Sequence, residues 1–129
     1  MKVYAIEHVQ LAMPPNGEES ARAFYGAVLG LIEKPKPPHL AERGGVWFEK
    51  EELKIHLGVE SDFRPAKKAH PALLVTGLDE LIRRCEQAGA EVVLDEPLEG
   101  FQRAYVNDPF GNRIELMEPL EAAPKGIET

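Results

Sequence analysis

The chain is short of cysteine, of positive charge and of long apolar runs, and each shortage removes a class of explanation. A single cysteine, Cys85, rules out an internal disulfide and a cysteine-based zinc cluster. It falls on the apolar side of a predicted helix, so a buried thiol is expected there rather than a nucleophile. Fifteen Lys and Arg against 22 Asp and Glu give a formal charge of −7. The small clusters Lys34/Lys36 and Lys67/Lys68 make no basic stripe, so no nucleic-acid partner is expected. No apolar stretch nears the roughly 20 residues that span a bilayer, and no membrane association is expected. The first residues enter a strand-like pattern directly, without the apolar core and small-residue cleavage site of a leader, which makes a cytoplasmic protein the default. What is present, 43% hydrophobic and 29% charged residues over 129 positions, suits one compact domain or two half-domains sharing a core.

The chain reads as one unit written twice, over residues 5–60 and 70–119. In the first copy, Val3 to Ala12 alternates with a strand period, and Pro14-Pro15-Asn16-Gly17 breaks it. Glu18 to Leu29 carries Ala21, Phe24, Tyr25 and Val28 at helical spacing, with Gly30 as a stop. Leu31 to Lys36 is a short edge strand cut by prolines. Gly45 to Glu49 and Leu53 to Val59 form a hairpin. The second copy follows a polar linker. His70 to Thr76 is its first strand, Leu78 to Ala88 its helix and Glu91 to Leu94 a short strand. Gln102 to Asn107 and Asn112 to Glu118 form a hairpin across Asp108-Pro109-Phe110-Gly111, a stretch of turn formers. The expected organisation is thus a first βαβββ module over 1–60, a linker over 61–69, a second module over 70–119 and a flexible tail over 120–129. The fold class is α+β. Such a unit has one apolar sheet face for its helix and must cover the other, so two units are expected to pair into a curved mixed sheet with a cleft and with helices outside.

Polar residues recur at matching places in the two copies. His8 in the first opening strand is echoed by His70 in the second. An offset of 59 residues aligns the last hairpins, so that Ile55 matches Ile114 and His56 matches Glu115. By strand parity His56 opposes Ile55 and Leu57, Glu115 opposes Ile114 and Leu116, His8 opposes Val9 and Leu11, and His70 opposes Leu73 and Val75. All four then face away from the helices. Three imidazoles and a carboxylate suit a divalent first-row metal such as Zn, Ni, Co, Mn or Fe, with remaining positions open to water or substrate. Arg103 and Tyr105 share one face of their strand and are candidates for orienting an anionic or oxygen-rich ligand, with Gln10 a third substrate-binding candidate. Trp47 and Phe48 fall on opposite faces, one to wall the cleft and one to pack the core. His39, in a proline-rich loop, has no assigned role, and Asn112 and its turn read as architecture.

Three stretches also carry a family likeness: His8-Val9-Gln10-Leu11, the run from Ala21 to Leu31 (ARAFYGAVLGL), and the run from Asn107 to Leu116 (NDPFGNRIEL). Together they resemble the vicinal oxygen chelate superfamily, which includes glyoxalase I, bleomycin-resistance proteins and extradiol dioxygenases. The resemblance covers about residues 3–119. It implies paired βαβββ modules forming a cup, a divalent metal on the inner wall, and a homodimer. The ligand positions it implies carry over to His8, His56, His70 and Glu115. The bacterial glyoxalase I pattern is similar to His-Glu-His-Glu, so His56 is a departure that removes a carboxylate ligand and base. Other members use two histidines and one glutamate, a set that His8, His70 and Glu115 would supply, with His56 as a fourth ligand or a base.

The preferred expectation is a metal-dependent enzyme of glyoxalase type. It would act on a small oxygenated metabolite by isomerase or lyase chemistry through a metal-stabilised enolate, with His56 and Glu115 as catalytic residues. One alternative is Fe(II) extradiol-type ring cleavage. Another is a metal-free protein that sequesters a small molecule such as an antibiotic, for which the negative charge would steer a cationic ligand.

Overall fold

The computed structural model describes residues 1–120. The chain divides into two compact units, Met1–Pro65 and Ala66–Thr129, each built on one four-stranded mixed sheet, which makes the fold α+β.

In the first unit the elements are β1 (Val9–Met13), α1 (Glu18–Ala21) running into a π-helix (Arg22–Val28), β2 (Ile32–Lys34), α2 (Pro38–Ala41), β3 (Val46–Lys50) and β4 (Leu53–Val59). The sheet order is β1-β4-β3-β2, with β1 parallel to β4 and the other pairs antiparallel. The opening strand begins later than the alternation from Val3 suggests. Val9 pairs with Ile55, and β4 starts at Leu53, so residues before about Glu7 have run past the end of their partner. Val3, Tyr4 and Ile6 are consequently exposed.

The predicted helix also differs in kind. After one α-turn it widens, and the Leu29 amide donates to the Phe24 carbonyl five residues back at 2.9 Å. Both adjacent aromatics are buried there. Tyr25 is fully covered, edge-on to Phe24 and stacked on Phe48 at 5.7 Å. With Met13, Val46, Ile55 and Leu57 they form the core of this unit. The short α2, read as loop from its prolines, starts with Pro38 in the first turn, where a missing amide costs nothing. Gly45 precedes β3 at φ +90°, and a Cβ there would meet the Leu57 carbonyl oxygen at 2.3 Å, so only glycine fits. Its amide donates to the Glu18 carboxylate at 2.8 Å, tying loop to helix.

The second unit contains β5 (Ala72–Leu74), α3 (Leu78–Gln87), β6 (Val92–Leu94), β7 (Phe101–Asn107) and β8 (Arg113–Pro119), in sheet order β5-β8-β7-β6. Again the outer strand, β5, runs parallel to the last strand, and again it is shorter than predicted. Pro71 accepts from the Glu115 amide at 3.0 Å but has no amide to return, which ends the ladder. The start of α3 is capped from β8: the amides of Gly77 and Leu78 donate to the Glu118 carboxylate at 2.9 and 3.0 Å. Those two bonds, Leu78 first, hold the Glu118 carboxyl below its ordinary range. Between β7 and β8 the buried Asp108 accepts from the amides of Phe110 and Asn112 at 2.9 and 2.8 Å and from the Asn112 side chain at 2.9 Å. That turn is architecture, as expected. Of the predicted tail over 120–129, residues 121–129 lie outside the described residues. Among the described residues, no helix is long and apolar enough to cross a membrane.

Candidate functional site

Each unit gathers two of the four predicted ligands against the middle of its sheet. In the first, register places His56 of β4 directly beside Trp47 of β3 and Gln10 of β1. Side chains beside one another on one sheet face are close enough for rings to meet. The Trp47 and His56 rings stack at 4.3 Å between centroids, inclined by 9°. His8, in the residue before β1, covers the other side of His56 at 4.2 Å, inclined by 18°. Thus His56 is the middle ring of three and only 7% exposed. Its burial, and secondarily the neighbouring His8, push its pKa below the ordinary imidazole value, so it is neutral at pH 7.

The His8 ring is held at its edge as well as on its face. Its Nδ1 lies 2.9 Å from a Glu7 oxygen, and the other Glu7 oxygen pairs with Lys54. The Lys54 contact, then the His8 contact, lowers the Glu7 carboxyl pKa, so Glu7 is an anion that accepts from Nδ1. Gln10 is exposed, and its amide lies over Gly58, where a Cβ would come within 2.5 Å of Nε2.

In the second unit Glu115 of β8 sits beside Tyr105 of β7 and Ala72 of β5. It is 6% exposed. One oxygen meets His70 Nε2 at 3.0 Å, and the other accepts from Arg103 Nη1 at 3.1 Å. Arg103 also donates to the Tyr105 hydroxyl and the Glu96 carbonyl, each at 3.1 Å, and has Asp95 at 3.7 Å. The predicted pair Arg103 and Tyr105 is therefore brought together on Glu115. His70 Nδ1 lies 2.9 Å from the Lys68 carbonyl, which can only accept.

Sequence reasoning missed Glu7, Lys54 and Arg113, whose guanidinium stands 4.7 Å from the centre of the Tyr105 ring. The Glu7-His8 adjacency and the Arg113-x-Glu115 spacing were visible but carried no signal by themselves. Phe48 packs the core and Trp47 faces the histidines, which resolves the pair left open by parity. His39 is exposed on α2.

The donor chemistry fits a divalent cation. In His70, Nδ1 must carry a proton to satisfy the Lys68 carbonyl, which leaves the Nε2 lone pair facing a carboxylate oxygen at 3.0 Å. Two acceptors in that position require a proton or a metal ion between them. His8 is tied at Nδ1 in the same manner, by a carboxylate, so Nε2 is the atom that it would offer to a metal. Among the described residues, no group of three or more His, Cys, Asp or Glu side chains is arranged to hold a metal ion.

A family model described as a glyoxalase-like domain matches residues 12–117. The chain belongs to the glyoxalase-like family of the vicinal oxygen chelate superfamily. Its fold is shared with a Bacillus anthracis protein assigned to the glyoxalase family, at 49% identity and a TM-score of 0.86, over 92% of this chain and 98% of that one. The fosfomycin resistance protein FosX of Listeria monocytogenes is 17% identical with a TM-score of 0.74, over 93% of this chain and 97% of that one. A glyoxalase/dioxygenase from Nostoc punctiforme is 21% identical with a TM-score of 0.71, over 94% and 99%. These last two show a common fold. No curated protein matches the chain. Glyoxalase-like membership accounts for the doubled βαβββ plan and leaves the reaction to be argued from the residues.

Proposed function

We propose that this glyoxalase-like protein is a divalent-metal-dependent enzyme that acts on a small oxygenated metabolite by isomerase or lyase chemistry. The observation that carries the reading is the matched treatment of two histidines. His8 and His70, at equivalent places in the two units, each have Nδ1 tied to an oxygen, and the other ring nitrogen of His70 faces the Glu115 carboxylate at 3.0 Å. A histidine serving only as a polar surface residue has no need of that restraint. His8, His70 and Glu115 would hold Zn, Ni, Co, Mn or Fe, with His56 as a fourth ligand or a base. When bound, the cation supplies Lewis acidity toward adjacent substrate oxygens and steadies the negative charge that develops there.

The chain's own residues supply the rest. Neutral His56 is in the state needed to accept a proton from carbon or oxygen of a substrate. Arg103, fixed by Glu115, Tyr105 and Glu96, offers a guanidinium edge to an anionic group, and Gln10 offers an amide from the first unit. The reading extends to a homodimer, as the family resemblance implies, and to a cytoplasmic location.

A second reading has its own support. Arg103 already neutralises Glu115, and a proton between His70 and Glu115 would complete the set in place of a metal, which suits a metal-free cleft that sequesters a small molecule. Elemental analysis of untagged protein separates the two. The enzyme reading predicts stoichiometric metal, and a thermal midpoint that rises with added Ni, Zn, Co, Mn or Fe. Metal-free protein whose midpoint ignores all five favours sequestration. Full activity with redox-inert Zn or Ni excludes ring cleavage by oxygen activation.

A further inference from the structure

Resting on the metal reading above, we propose that His56 is not a metal ligand. Instead, Trp47 and His56 form a stacked support that sets the ring of His8 for coordination. The resemblance left His56 as either ligand or base, and the ring geometry decides against the ligand.

An imidazole nitrogen offers its lone pair in the plane of the ring, so a bound ion lies in or near that plane. The His8 and His56 planes are inclined by only 18° at 4.2 Å between centroids. Planes so nearly parallel converge on the order of 10 Å away, far beyond a metal–nitrogen bond of about 2.0–2.1 Å. One cation therefore cannot lie in both planes. Turning His56 out of the stack would break its contact with Trp47, which lies within 9° of parallel on the opposite face. Strand register fixes that contact, because Trp47 and His56 are direct partners across β3 and β4.

His8 most needs such support. It precedes β1 in a stretch without ladder partners, and its side chain is 41% exposed. Two restraints orient it, the Glu7 carboxylate at Nδ1 and the His56 face. Together they remove ring freedom that a ligand would otherwise lose on binding metal. The second unit solves the same problem differently, since the Lys68 carbonyl and the Tyr105 ring edge hold His70. Trp47 and Tyr105 occupy equivalent strand positions, Trp47 beside His56 and Tyr105 beside Glu115.

The test compares His56→Phe, which keeps a flat ring but cannot coordinate, with His56→Ala, which removes the ring. Metal affinity is measured by calorimetric titration of Ni2+ into metal-free protein, with the Co2+ visible spectrum as a check on the ligand set. His56→Phe should stay within about threefold of wild type with an unchanged Co2+ spectrum. His56→Ala and Trp47→Leu should each lose about tenfold, in the range found for outer-shell partners of a metal ligand. Equal and severe loss in both His56 variants, or a changed Co2+ spectrum in His56→Phe, would mean that His56 coordinates and would overturn the proposal. So would wild-type affinity in His56→Ala.

A second readout needs no metal. The His8 ring-proton resonances of metal-free protein should lie upfield from ring-current shielding in wild type and His56→Phe, and should relax toward free imidazole in His56→Ala. Unshifted resonances in wild type would overturn the stack. A wild-type chain with shifted resonances that binds no metal would defeat the proposed function and, with it, the coordination role given to His8, while the stack itself stood.

Discussion

The two units place chemically opposite surroundings around equivalent residues. In the first, His56 lies between two flat rings, neutral and nearly sealed from water. In the second, Glu115 lies between a guanidinium and an imidazole, and every strong contact is polar or charged. Duplication explains the shared strand plan. The difference teaches that the doubled scaffold fixes where side chains sit, while the residue types decide whether a position stacks, ligates or binds an anion.

The largest way to break the contrast is at Glu115. Glu115→Ala removes the carboxylate that joins His70 and Arg103, and metal affinity should fall by more than about 100-fold, beyond the range of outer-shell losses. Titration calorimetry checks this, and His56→Phe in parallel should show almost none of the effect. If the two variants lose affinity equally, the division of labour between the units is wrong.

Next is Arg103. Replacing it with Lys keeps a charge but loses the planar fork that meets Glu115, Tyr105 and Glu96 together. Once a substrate is in hand, KM should rise about tenfold, the cost of roughly one charge-assisted hydrogen bond, with metal content unchanged. A fall in kcat at constant KM would move Arg103 from substrate binding to the chemical step.

Acidification sharpens the comparison. The pKa of His56 is lowered in the folded chain, chiefly by burial. Above about pH 6.5, the ordinary imidazole value, folded and unfolded chains both hold it neutral, and stability is fully present. As pH falls through that value the unfolded chain takes up a proton that the folded chain resists, so stability declines until the folded pKa is reached. Denaturant midpoints of metal-free protein should drop in this window, and the drop should shrink in His56→Phe. Lower in pH, the depressed carboxyls of Glu18 and Glu118 bring a further loss below about 4.3, which Glu118→Gln should reduce. The smallest effect is expected at His39, where alanine should change stability by less than about 0.5 kcal/mol and leave metal binding intact.

Much of this was legible in the residues. The strand Leu53 to Val59, the helix from Leu78 and the turn Asp108 to Asn112 follow from local patterns that tertiary context did not override. Strand parity correctly brought Arg103 and Tyr105 to one side and set Trp47 against Phe48. The failures were of another kind. Residues 3–6 have a strand's alternation, but pairing requires a partner, and register places them before the first residue of β4. The π-widening after Ala21 leaves no trace in a spacing that reads equally well as α-helix. Ring stacking depends on side-chain planes, which parity does not give, so the position of His56 between Trp47 and His8 was unreadable before the structure. The roles of Glu7 and Lys68 in tying two imidazoles were hidden for the same reason.

The proposed function makes metal ligands of both His8 and His70. It is tested most directly by titrating Ni2+ into metal-free wild type, His8→Ala and His70→Ala. The prediction is one ion per chain in wild type and near-complete loss in both variants, although the altered residues belong to different units. No binding by wild type, or loss confined to one variant, would contradict it.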